Sequence, residues 1–139
     1  MKFEGVHIFS LPFKNFKRGA AVTITWIGIF IGKGYENDQD LLRHEFGHIL
    51  QFRKWGFWIF WRHIAAASLI SAKHSRKYAV NHMHTWTEWS ANKLSYDYFQ
   101  RPIDWNYTLF PIAPVAENRL SKPKFSATND DFIQHWLDV

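Results

Sequence analysis

The sequence predicts an α+β fold: a small, mostly antiparallel sheet, two long helices and an irregular C-terminal tail. Three observations carry that expectation. β-Branched and aromatic residues crowd Ala21 to Ile31, apolar residues fall at helical spacing from 38 to 54 with Trp89, Lys93 and Tyr96 along one side of a second helix over 86–99, and four prolines lie between 102 and 127. A chain of 139 residues, 47% hydrophobic and 19% aromatic, is expected to form one ordered domain around a single core. Its expected divisions are a sheet region at 1–36, paired helices at 37–101 and a tail at 102–139.

Each element has its own signal. Val6 to Phe9 and Ala21 to Ile31 read as strands, the second a run of Val, Ile, Thr, Trp and Phe. Lys14 to Gly19 is a polar, basic connection, and Gly32-Lys33-Gly34 ends the second strand. Asn37 or Asp38 can cap a helix whose first turn carries Asp40, and Leu42, Phe46 and Ile49 line one face of it. That helix is expected over about 38–54, ending near Gly56.

Residues 55–72 are rich in Trp, Phe, Ile and Ala, with Arg62 and His63 near the middle. The stretch is at the lower length limit for a membrane span, and its charges argue against one. Two readings follow: buried core under the first helix, or an exposed aromatic patch that touches a membrane surface or a partner. His74 to Thr85 reads as a loop. A second long helix is expected over about Trp86 to Phe99, closed by Pro102. The Pro-rich tail then leads to a short apolar helix with Phe132, Ile133, Trp136 and Leu137.

The formal net charge of +5 comes from scattered Lys and Arg, with no nucleic-acid-binding motif. The chain has no cysteine, so a metal site would have to use His, Asp or Glu. Glu4 falls where a signal peptide needs an apolar run, so the chain reads as cytoplasmic.

Residues 44–48 are His-Glu-Phe-Gly-His. Two histidines at i and i+4 share one helix face and can both reach a single cation. Glu45 lies beside that face, placed to act as general base on a water that the metal has made more acidic. With 8 His and 5 Glu in the chain, chance gives such a pentad roughly 2% of the time, so the spacing carries weight. Zinc needs a third ligand. The extended motif with a further Gly and His fails, because Gln51 and Lys54 occupy those positions. Glu88, on the second helix, is the favoured third ligand, with His82 and His84 as competitors. Asn92, one turn after Glu88, could bond the back nitrogen of a ligand histidine. Either His82 or His84 could instead stabilise an oxyanion, and His82 is the choice. His7, His63, His74 and His135 show no ligand spacing.

A helix with H-E-x-x-H, followed by a second helix with Glu88 and a polar residue four positions later, resembles the gluzincin metallopeptidases, and the short chain most resembles their minimal, minigluzincin-like forms. The likeness covers about residues 21–99. It implies a zinc ion on His44, His48 and Glu88, peptide-bond hydrolysis of a peptide or protein substrate, and an edge strand that pairs with that substrate. Two departures stand out. The gap of 39 residues between His48 and Glu88 is longer than in compact members, and Asn92 stands where many members carry Asp. Three other readings stay open: a non-catalytic zinc protein, a membrane or partner module built on 55–72, and an enzyme held latent by its own tail.

Overall fold

The computed structural model describes residues 1–12, 21–78 and 82–114, with side chains between 21 and 78 described as far as 73. Four strands, β1 (Lys2–Phe3), β2 (Val6–Leu11), β3 (Ala21–Ile24) and β4 (Gly28–Gly32), form one sheet in the order β1-β2-β4-β3. β1 and β2 are antiparallel across a tight turn in which Glu4 and Gly5 both take positive φ, as a two-residue hairpin requires. β2 and β4 run parallel, with Ile8 opposite Ile29. β3 is antiparallel to β4, with Thr23 opposite Ile29.

The run expected as one strand, Ala21 to Ile31, is therefore a hairpin. It turns at 25–27, where the Ile27 amide donates to the Ile24 carbonyl. Strand propensity extends through the bend because Thr, Trp and Ile favour strands on either side of it, so composition alone did not mark the turn. The correction matters for the site, since the outer strand of the sheet is β3 and β4 is interior.

Helix α1 (Gln39–Ile59) starts at Asp38, whose side chain accepts from the Leu41 amide at 3.1 Å. The helical path breaks at Gly56, with φ 81° and ψ 174°, a conformation open essentially to glycine alone. The expected end near Gly56 is thus a sharp change of direction, followed by more helix. A π turn at Phe60–Ala65 leads into α2 (Ala66–Tyr78). The expected loop from His74 to Thr85 is instead helical to Tyr78, with a 3-10 turn at His82–His84. Alanine-rich sequence after Ile64 sustains the helix that the aromatic run obscured. Helix α3 (Trp86–Tyr98) follows.

Two cores result. Ile8, Ile29 and Ile31 of the sheet meet Leu41, Leu42, Phe46 and Ile49 of α1. Phe60 and Ile64 meet Trp86 and Trp89 of α3. Residues 55–72 divide between the two readings given above: Phe60 and Ile64 are buried, while Phe57, Trp58, Leu69 and Ile70 are exposed.

At Gly47 the backbones of α1 and α3 come too close for a side chain. A Cβ there would lie 2.2 Å from the Ala91 carbonyl oxygen, so glycine opposite a small residue lets the two helices touch. After α3, residues 102–114 turn back over the body, burying Trp105 and Phe110. The expected terminal helix at Phe132 to Leu137 lies outside the described residues. Among the described residues no helix is long and apolar enough to cross a membrane.

Candidate metal centre

Because α1 and α3 touch at Gly47 and Ala91, residues one turn away on each helix face one another. His44 and His48 sit one turn apart on α1, and Glu88 stands opposite on α3. His44 Nε2 lies 3.3 Å and His48 Nε2 3.1 Å from Glu88 Oε2. One ligand atom from each of the three residues falls within 4.8 Å of the others. His44 and Glu88 are buried, and His48 is partly exposed.

The back nitrogens are fixed. Asn92 Oδ1 lies 2.7 Å from His44 Nδ1, and the Asn92 amide donates to the Pro111 carbonyl. Gln51 Oε1 lies 2.9 Å from His48 Nδ1, and the Gln51 amide donates to the Thr87 carbonyl and to Ser90 Oγ. With both amide NH2 groups committed elsewhere, the oxygens must face the histidines and accept. Each Nδ1 then carries the proton, and each neutral Nε2 turns its lone pair toward Glu88.

Two imidazole lone pairs and a carboxylate oxygen thus converge on one point. Such a cluster needs a positive charge at its centre, either protons or a cation. With protons, burial works against a charged His48. The Glu88 charge and hydrogen bond beside it overrule that and push His48 up to about 9. Burial also opposes a charged Glu88, while the His48 charge and hydrogen bonds from His44, His48 and His82 hold it well below the usual carboxylate range. The donor set, neutral imidazoles and one carboxylate with held back nitrogens, fits zinc.

Glu45 is buried beside the ligands, its Oε1 3.9 Å from His44 Nε2. Its Oε2 accepts from Thr23 Oγ1 at 2.6 Å. That bond ties the edge strand β3 to the site. The strand beside the site is therefore β3 (Ala21–Ile24), the first arm of the hairpin.

His82 meets the other side of Glu88, its Nε2 3.2 Å from Oε1. His82 Nδ1 pairs with Ser71 Oγ at 2.8 Å, and Ser71 in turn pairs with Thr85. Ser68 Oγ also donates to Glu88 Oε1, at 2.5 Å. His84 is outside the metal-competent group. Phe110 covers the His44 ring at 5.4 Å.

Gln51, Thr23, Ser68 and Ser71 were not singled out in the sequence. Gln51 alone had a legible signal, a polar residue one turn after His48 on the same face. No protein-family model, curated protein or solved structure matches the chain.

Proposed function

We propose that the protein is a zinc-dependent hydrolase of peptide bonds. The observation that supports this most is the convergence of His44, His48 and Glu88 within 4.8 Å, with the Glu45 carboxylate alongside. A zinc ion held by these three residues would supply Lewis acidity toward a scissile carbonyl and toward a water. Glu45 would accept a proton on its carboxylate from a water whose oxygen bonds the scissile carbonyl carbon, and would return that proton to the amine as the C–N bond breaks. Thr23 holds the far oxygen of Glu45, so the near one points at the reacting groups. Asn92 and Gln51 keep His44 and His48 in the tautomer that presents Nε2.

His82, the residue expected to stabilise an oxyanion, engages both ring nitrogens, one on Glu88 and one on Ser71. We assign it to holding Glu88 in place. The extended substrate would run along β3, the strand that already touches Glu45.

Metal analysis and a peptide-library digest test the proposal together. Near one zinc per chain, with cleavage lost in Glu45→Gln, is expected. Stoichiometric zinc without cleavage of any peptide would favour a second reading, a non-catalytic zinc protein, to which the covering of His44 by Phe110 also points. No zinc after zinc is offered would overturn both.

A further inference from the structure

We infer that the outward side of the helix from 57 to 73, together with the tip of the β3–β4 hairpin, docks on an anionic lipid bilayer surface. This rests on observations separate from the metal centre. Every exposed side chain larger than alanine on that stretch is apolar or cationic: Phe57, Trp58, Leu69, Ile70, Arg62 and Lys73. Trp58 is 80%, Leu69 70% and Ile70 63% exposed. These residues are not displaced from a full core, since the inward side is already filled by Phe60, Ile64 and Ser71, all buried.

The hairpin extends the same surface. Trp26 at its tip is 58% exposed, and its ring lies 6.0 Å from Phe57 and 5.4 Å from Trp61. Aromatic side chains from two elements therefore form one continuous exposed cluster.

Charge selects the partner. Between Glu45 and Glu88 the chain has six Lys or Arg and no Asp or Glu, while the whole chain's net charge is +5. Within 57–73, the stretch with the exposed aromatics, the only formal charges are the cations Arg62 and Lys73. A second copy of this chain meeting the same face would set Arg62 and Lys73 against like charges, with no carboxylate in the segment to pair them. A bilayer with anionic headgroups satisfies both parts at once. Trp and Phe settle at the headgroup level, and each cation near the surface adds electrostatic attraction. No described helix is long and apolar enough to span, so the segment would lie in the plane of the interface. Ser68 and Ser71 on its inward side touch Glu88 and His82, so docking would bring the metal centre close to the lipid surface.

Sedimentation of the full chain with vesicles tests this. Binding is expected to phosphatidylcholine vesicles containing phosphatidylglycerol, weaker to phosphatidylcholine alone, and falling with added salt. Trp58→Ser combined with Leu69→Ser should weaken partitioning about tenfold or more. Arg62→Glu combined with Lys73→Glu should weaken it roughly fivefold or more for each cation removed. Far-UV circular dichroism checks that both variants remain folded; should either unfold, Trp26→Ser, on the hairpin, replaces it. No sedimentation with anionic vesicles, or equal binding to neutral ones, overturns the inference. So does a self-association in ultracentrifugation that the Trp58 and Leu69 variant abolishes without any vesicle binding, or retention by an acidic protein alone.

Discussion

At the scale of single residues, the site separates ligand, base and supports by the atoms each one touches. On the proposed reading, Glu45→Gln would remove the proton acceptor and leave both imidazoles and Glu88, so activity should vanish while zinc stays. Glu88→Ala would remove the proposed third ligand, so zinc binding should weaken. Loss of zinc in the first and retention in the second would reverse the two roles. Asn92→Ala and Gln51→Ala each release one histidine and should lower zinc affinity by about 10–100-fold, measured by chelator competition. Unchanged affinity in either would show that its histidine is oriented by something else.

The charges inside the cluster also set a pH dependence for the metal-free protein. His48, ordinarily 6.5 and here raised to about 9, stabilises the fold fully below 6.5, and that contribution is lost as the pH climbs through 9. Glu88, ordinarily 4.5 and here lowered, stabilises above 4.5, and its contribution is lost as the pH falls through its depressed value. Metal-free protein should therefore be most stable between about pH 4.5 and 6.5 and weaken toward 9. Thermal melts in chelator across this range check it, and a flat profile between 6.5 and 9 would contradict it. Zinc affinity should run the opposite way, rising with pH, because the metal displaces the proton on His48.

At the scale of elements, two glycines decide where the helices go. A Cβ at Gly47 would sit 2.2 Å from the Ala91 carbonyl oxygen, backbone that cannot rotate aside. Gly47→Ala should cost about 1–3 kcal/mol, and by parting α1 from α3 it should also reduce zinc affinity. Gly56→Ala, strained at φ 81°, should cost about 1–3 kcal/mol but lies beyond the ligands and should leave affinity nearly intact. Denaturation midpoints and zinc titrations on the two variants separate packing at the site from direction of the chain. Equal loss of affinity in both would mean that the helix break itself shapes the metal centre.

At the scale of the whole molecule, the segment after α3 belongs to the site. The Pro111 carbonyl holds Asn92, Phe110 covers His44, and Trp105 is buried, its indole donating to the Phe110 carbonyl. Cutting the chain after 101 should therefore destabilise the protein and weaken zinc binding. Cutting after 114 keeps these contacts, and it is the truncation that tests whether the remaining tail holds an enzyme latent: if it does, activity rises with zinc content unchanged. No rise would set the latency reading aside.

What the sequence determined by itself was local. The i, i+4 histidines follow from helix geometry, the Asp38 cap from a side chain three residues before its partner amide, and the helix over 86–99 from spacing and Pro102. Glu88 and Asn92 were legible because they too obey one-turn spacing on a helix. The hairpin within Ala21 to Ile31, the parallel pairing of β2 with β4, and the passage of 55–72 into helix were decided only by tertiary structure. Strand and helix propensities there are shared by competing arrangements, and burial against α1 and α3 selects among them. The supports of the site came from distant elements for the same reason. Thr23, Ser68, Ser71 and Pro111 reach Glu45, Glu88, His82 and Asn92 across the fold, and no spacing along the chain encodes contacts that exist only once Gly47 has let two helices meet.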